Sequence, residues 1–544
     1  MHTSNWKKWG SLVVLSMALA IIVIDTTLLN VSLGTIIREF NTTIQGIQWV
    51  ITAYALTLSA LTITGGRLGD LFGRKRMFML GAVIFAVGSY VASISHNVPT
   101  MILGESIIEG VGAALMMPAT SSLLLSTFEG RERAIAFGVW GAIAAAAAAL
   151  GPIIGGFLTT HYSWRWGFRI NIVVAAILLL GSILVKEARD TKEKPSLDWG
   201  GVFLSSIGLL LIVFGVIEAS TYGWWFAKSA FTLGSFSLPT WAGLSVTPYS
   251  IILGVILLVL FGLWERYMES KGRTPLVSLG IFQNQQFAAG SATTAVMSLS
   301  MTGMIFSLPV FLQAVRGLDA FQTGMSLLPM SLTILVVAPL SGFLSTKFRP
   351  KYMIQLGLFL NMLGVLVLRQ SMTVDSTVGH LAPGLMIFGA GLGLVMAQIS
   401  NLTLSAVPLH LAGEASGINN TLRQLGSTLG SAIIGAVMLS ALSANLVNGI
   451  TASSVIPTSM KTAVAQEISQ QTSAVEFGGG VQTREGIPPV VTAEIHRISN
   501  QSMVDAARVT FVYTALFSFL GFLTAFSLPN IKASSRQGAP TAGH

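Results

Sequence analysis

Three acidic residues lie inside long apolar stretches of the chain, namely Asp25, Glu105 and Glu109. A charged side chain at the centre of a membrane helix costs about 2.5–3.5 kcal/mol, so such residues usually have a function. Glu105 and Glu109 are one helical turn apart and share a face. Two carboxylates in a low dielectric resist being ionised together, so one should hold a proton. We expect proton coupling or cation binding at these acids. The structural alternative is a pairing with a neighbouring helix for Asp25, and a static polar network with each other or Arg169 for Glu105 and Glu109.

Aromatic side chains offer a second kind of chemistry, because a ring face attracts a planar cation. Four such residues lie in the apolar segments: Trp49, Tyr54, Trp140 and Phe306. Aromatic residues of membrane helices are more often packing or interface anchors, so both interpretations stay open. The seven histidines lie in loops, tails or helix ends without metal-ligand spacing, and the chain has no cysteine. The sequence therefore predicts no metal site and no cofactor.

The composition identifies the medium that surrounds these residues. Of 544 residues, 10% are charged and 52% are hydrophobic, and the mean hydropathy is +0.72. A soluble domain has about 25% charged residues, and a disordered chain is polar. Both classes are excluded, and the chain is expected to be an all-α integral membrane protein.

Fourteen apolar segments are long enough to cross a bilayer, since about 20 helical residues span its hydrocarbon. They are 11–34, 46–66, 77–96, 99–125, 134–159, 168–186, 200–219, 249–266, 287–313, 322–345, 351–369, 380–407, 413–441 and 506–529. With the N-terminus inside, most Lys and Arg residues of the connections fall on the inner side. This asymmetry predicts an even number of spans with both termini in the cytoplasm.

The connection after the second segment combines glycines with charges of both signs: Gly66, Asp70, Gly73, Arg74 and Lys75. Glycine permits a tight turn where helices nearly touch. An acid at a helix end is stabilised by a neighbouring cation such as Arg74 or by the N-terminus of another helix. We expect a cytoplasmic latch that holds one conformation closed. A basic loop that only fixes topology would not explain Asp70.

The fifth segment is rich in small residues, with Gly138, six consecutive alanines, and then Gly151, Pro152, Gly155 and Gly156. Small residues let helix backbones approach closely, and proline removes a backbone hydrogen bond and bends the helix. This face is therefore expected to pack tightly against other helices.

These two motifs resemble, respectively, the loop signature and the antiporter motif of the major facilitator superfamily. Residues 24–31, 163–171 and 420–426, with the fourteen segments, are similar to the fourteen-helix drug:proton antiporters of the QacA/EmrB type. The chain departs from that family at Ser106, where the fourth helix usually has an arginine, and at Thr346, where a repeated latch would have an aspartate. The predicted fold is a 6 + 2 + 6 arrangement: a six-helix bundle in 1–190, a two-helix insertion in 191–270, and a second bundle in 271–544 with a long extracellular loop at 442–505.

The resemblance implies a proton-coupled multidrug efflux antiporter that exports amphipathic compounds by alternating access. We expect these compounds to be cationic. The alternative on the same fold is an exporter of a lipid, fatty acid or anionic natural product. Scattered histidines and absent cysteines argue against an enzyme, and no soluble segment is long enough for an ATP-binding domain. The expected partners are small molecules, protons and the lipid bilayer, without nucleic acid. The expected state is a monomer in the bacterial cytoplasmic membrane.

Overall fold

Apolar helices dominate the computed structural model, which confirms the all-α prediction. It describes residues 5–42, 44–187, 196–228, 230–233, 236–237, 243–345, 347–457, 461 and 489–530. Thr346 therefore lies outside the described residues. Two short antiparallel strands, β1 (Thr232–Leu233) and β2 (Phe236–Ser237), lie between α7 and α8, whose bounds follow.

We number the long helices α1 to α14. They are α1 Asn5–Phe40, α2 Ile44–Phe72, α3 Arg74–Ser93, α4 Val98–Thr127, α5 Gly130–His161, α6 Arg165–Gly181, α7 Trp199–Tyr222, α8 Val246–Ser270, α9 Gln285–Arg316, α10 Leu328–Leu344, α11 Pro350–Ser371, α12 Val378–Leu404, α13 Ala412–Ala452 and α14 Pro489–Thr524. In the described residues, thirteen helices are long and apolar enough to cross a membrane, and α10 is a shorter apolar helix. A count of fourteen spans stays a prediction.

The helices form two halves with matching packing. In the N-half (α1–α6), α1 packs on α4, α5 and α6, while α3 packs on α4 and α6. In the C-half (α9–α14), α9 packs on α12, α13 and α14, while α11 packs on α12 and α14. The halves meet where α2 contacts α13 and where α5 contacts α10. These two interfaces are equivalent, because α2 and α10 are each the second helix of a half and α5 and α13 are each the fifth. Matching contacts of this kind are typical of a structural repeat.

Helices α7 and α8 lie at the periphery of these halves. They pack against each other, and α7 also contacts α2 and α13. The opposite face of α8 exposes large aliphatic side chains, including Ile252, Val255 and Val259. Such a face is suited to lipid. The division of the chain at residues 190 and 270 stays a prediction.

The structure corrects the predicted bounds of segment 322–345 and of the long loop. Segment 322–345 is interrupted at Leu327, between a short helix (Ala320–Ser326) and α10, because Pro329 in the first turn of α10 lacks a backbone N–H. The predicted loop 442–505 is helical at both ends, since α13 continues to Ala452 and α14 begins at Pro489. The helices continue there because they share an apolar cluster that includes Leu446, Ile450, Ile495 and Ile498.

Candidate functional site

The three acids predicted from the sequence meet in the interior of the N-half. Asp25 comes from α1, and Glu105 and Glu109 come from α4. One oxygen atom from each carboxylate lies within 4.8 Å of one from each other acid, and all three side chains are buried. We call these residues the acid cluster. Sequence spacing placed the two glutamates on one face, but it could not show that Asp25 faces them.

Asn171 of α6 joins the acid cluster, which the sequence did not indicate. Its Nδ2 atom donates to Asp25 Oδ1 at 2.6 Å and to Glu109 Oε1 at 3.2 Å. An uncharged amide donates hydrogen bonds without neutralising a carboxylate. A polar residue among the apolar ones of α6 is the only signal that could have pointed to it.

The acid cluster contains no cation among the described residues. Asp25 Oδ2, both Glu105 oxygens and Glu109 Oε2 are buried without a hydrogen-bond partner in the described part of the chain. The basic residue considered from the sequence lies elsewhere, since Arg169 is exposed and its guanidinium stacks on Trp166 at 5.0 Å. Three buried carboxylates without a counter-charge cannot all be ionised, so the cluster must hold protons or a bound cation. Its hard oxygen atoms could ligate a metal ion, a donor set that the prediction of no metal site did not consider.

A local irregularity of α4 carries both glutamates. Residues Ile102–Glu109 form a π-helix, in which each turn contains an extra residue. Ser106 lies within it, and its Oγ atom donates to the backbone oxygen of Val50 in α2 at 2.6 Å. Ser106 is the position at which the family that the chain resembles has an arginine. Here it makes a buried contact with the α2 backbone. It supplies no positive charge to the acids.

The small residues of α5 face helices of both halves. Toward α1, a Cβ atom at Gly151 would lie 1.7 Å from Thr27 Oγ1, and one at Gly155 would lie 2.9 Å from Leu28. The α1 side of this contact is therefore one helical turn or less from Asp25.

The rest of the antiporter motif faces the C-half. A Cβ atom at Gly138 would lie 2.6 Å from the backbone oxygen of Ala338 in α10, and Gly156 lies beside Phe321 of the short helix. Pro152 lies within α5, beside Gly324 of the short helix. The motif therefore packs α5 against both halves.

Asp70 links the two halves at the end of α2. Its Oδ1 and Oδ2 atoms accept from the backbone N–H groups of Gly413 at 3.0 Å and Glu414 at 2.7 Å. Its partner Arg74 donates to Oδ1 from Nε at 3.1 Å and from Nη2 at 2.9 Å, and also donates to the backbone oxygen of Leu409. Asp70 thus has both partners that the sequence suggested, a neighbouring cation and the positive N-terminus of another helix, α13.

The remaining latch residues shape this contact. At Gly66 a Cβ atom would lie 2.3 Å from the backbone oxygen of Gly413, so only glycine allows α2 and α13 to approach this closely. Gly73, with a φ of +106°, forms the turn between α2 and α3, a conformation that favours glycine. The backbone N–H of Lys75 donates to Glu187 at 3.1 Å.

A second contact fastens the same end. The buried carboxylate of Glu414 accepts from the backbone N–H of Ser278 and lies 3.5 Å from Arg67 Nη1. Nearby, the hydroxyl groups of Ser121 in α4 and Ser416 in α13 are hydrogen-bonded. The end of the molecule that carries the latch is therefore closed in this structure.

A small cavity lies between the halves. Residues Ser121, Trp140, Thr294, Met297, Asn419 and Arg423 are among those that line it, and its volume is about 20 Å³, room for about one water. Among the described lining residues, Trp140 is the only one of the four aromatic candidates. Trp49 instead stacks on Phe214 of α7 at 6.1 Å, Tyr54 packs beside Gly110, and Phe306 packs against the α13–α14 cluster. The sequence showed that these residues lie within apolar segments, but not which face of each helix they occupy.

The Major Facilitator Superfamily model matches residues 15–431, which is more than half of the chain. The chain belongs to the major facilitator superfamily. Solved structures agree on the fold: a proton:xylose symporter has a TM-score of 0.57 at 12% identity, covering 98% of each chain. A human organic anion transporter has a TM-score of 0.56 at 11% identity, covering 95% of this chain and 99% of its own.

Curated relatives of this major facilitator protein are named as resistance and export proteins. The puromycin resistance protein of Streptomyces alboniger is 31% identical, covering 81% of this chain and 84% of its own. The tetracenomycin C resistance and export protein of Streptomyces glaucescens is 29% identical, covering 80% and 76%. The probable actinorhodin transporter of Streptomyces coelicolor is 30% identical, covering 80% and 73%. The protein is thus a multi-pass cell-membrane transporter rather than an enzyme.

Proposed function

We propose that this transporter exports amphipathic small molecules in exchange for protons. The observation that carries the proposal is the acid cluster, which is buried without a cationic partner in the described part of the chain. A site of this kind gains and loses protons when its solvent access changes. Electrochemical energy can enter the cycle in this way without ATP or a cofactor.

The coupling is indirect, because none of the three acids is among the residues lining the cavity between the halves. Asp25 lies beside the α1–α5 contact, and α4 carries both the glutamates and Ser121 of the cavity wall. Protonation removes charge repulsion within the cluster, and the resulting shift of α1 and α4 reaches the cavity. The latch end faces the cytoplasm in this proposal, and its opening admits cargo.

The sequence favoured a cationic cargo, with a lipid, fatty acid or anionic natural product as the alternative. One observation supports the anionic alternative, namely that Arg423 is the charged residue in the cavity wall.

The test is transport in proteoliposomes under an imposed pH gradient, with a sodium gradient as the second arm. Asp25→Asn should lose the response to the pH gradient, whereas the control Asp375→Asn, at an exposed loop position, should keep it. Export that ignores the pH gradient but follows sodium would overturn proton coupling and assign the acid cluster to a metal cation.

A further inference from the structure

The described wall of the cavity between the halves carries a positive charge and no negative one. Its wall contains hydroxyl, amide, apolar and aromatic side chains, and the charged group in it is the guanidinium of Arg423 from α13. None of the three residues of the acid cluster is among the residues that line this cavity. A molecule bound in this cavity would therefore lie next to a positive charge.

Arg423 is held in place but not neutralised. Its Nη2 atom donates to Asn420 Oδ1 at 3.0 Å, and Asn420 Nδ2 donates in turn to the backbone oxygen of Ser416 at 2.9 Å. No acidic side chain of the described residues forms an ion pair with Arg423. Since a guanidinium has five N–H donors, most of its hydrogen-bonding capacity is left for another partner.

An unpaired cation between packed helices is costly unless an anion compensates it. Guanidinium groups match carboxylate-like anions in a planar, two-bond geometry, which combines strength with specificity. An anion that pairs with Arg423 would therefore have the chemistry of an oxyanion.

The other wall residues indicate the body attached to that anion. Trp140 presents an aromatic side chain, and its indole N–H has no hydrogen-bond partner among the residues that the structure describes. Met297 and Met396 add flexible, polarisable side chains that adapt to different apolar shapes. These groups suit a planar apolar body.

We propose that Arg423 binds the anionic oxygen of the cargo, a carboxylate, phenolate or sulfonate carried on a planar amphipathic compound. This inference rests on the proposed export function and names its substrate class. The cavity now has room for about one water, so cargo binds when the latch end opens and the halves separate.

Two xanthene dyes of similar shape and opposite charge test the proposal: fluorescein, an anion, and rhodamine 123, a cation. Their binding to the purified full-length protein in detergent micelles is measured by fluorescence anisotropy, independently of any gradient. Wild type should bind fluorescein more tightly than rhodamine 123. Arg423→Gln should weaken fluorescein binding about 10- to 100-fold, as for the loss of a charged hydrogen bond, without weakening rhodamine 123 binding.

Arg423→Lys should bind fluorescein more tightly than Arg423→Gln, because it restores the charge without the planar, two-bond geometry of the guanidinium. Arg369→Gln removes an exposed arginine of the same half and should change nothing. Equal binding of both dyes by wild type, or unchanged fluorescein binding in Arg423→Gln, would overturn the assignment. Charge-selective binding without gradient-driven transport would support the site and overturn only the proposed antiport.

Discussion

Asn171 holds Asp25 to Glu109: one amide nitrogen donates to a carboxylate of α1 and to a carboxylate of α4. Three helices of the N-half are thereby joined at one atom. Because the amide is the only described side chain from outside the cluster that hydrogen-bonds to both acids, it sets their relative position.

Asn171→Leu keeps the number and branching of the side-chain heavy atoms and removes the donor. We expect gradient-driven export to fall about tenfold or more, because hydrogen bonds to charged groups are worth about 1.5–3 kcal/mol. The measurement is dye export per molecule at equal membrane abundance. Asn448→Leu, at an exposed position of α13, is the control. Normal export by Asn171→Leu would show that the amide does not position the acids.

Asp70→Asn removes the charge that holds Arg74 and the N-terminus of α13. We expect the closed latch to lose about 1–3 kcal/mol and open more often. Since the chain contains no cysteine, Ser121→Cys provides a single label site in the cavity wall. Labelling by a membrane-impermeant maleimide from the latch side should become several-fold faster in the Asp70→Asn background. Unchanged labelling would mean that the latch does not control access.

Gly66→Ala places a Cβ atom 2.3 Å from a backbone oxygen of α13, which cannot move aside as a side chain can. We expect the halves to separate at this end and export to be nearly lost while the protein still inserts. Gly262→Ala, where a Cβ atom meets nothing within 4 Å, should behave as wild type. Similar export by the two variants would contradict the close α2–α13 contact.

Trp140 and Trp49 should differ despite their identical residue type. Trp140→Ala removes part of the cavity wall and is expected to weaken dye binding by about tenfold, within the range for stacked aromatic side chains. Trp49→Ala removes a contact with α7 and should leave the dissociation constant unchanged. Anisotropy titrations of both variants decide between these expectations, and equal losses would contradict the assignment of the cavity wall.

The sequence predicted the features that depend on composition and short-range spacing. Apolar length revealed the helices, and the four-residue spacing placed Glu105 and Glu109 on one face. Features that depend on helix rotation were not accessible, so Asn171 was missed and the sequence left open whether Trp49 lines a cavity or packs against another helix. The ends of α13 and α14 were also missed, because their packing on each other, rather than lipid, stabilises the extra turns. The sequence alone does not show which side chains a single amide among apolar residues will contact.

Proton release on cargo binding tests the coupling most directly. Purified protein in weakly buffered detergent solution, with a pH indicator, is mixed with saturating fluorescein at several pH values. If the acid cluster and the cavity are linked, wild type should release protons on binding. The Asp25→Asn, Glu109→Gln double variant should bind the dye with little or no release. Proton release of the same size from both proteins, or none from wild type at any pH, would contradict the account.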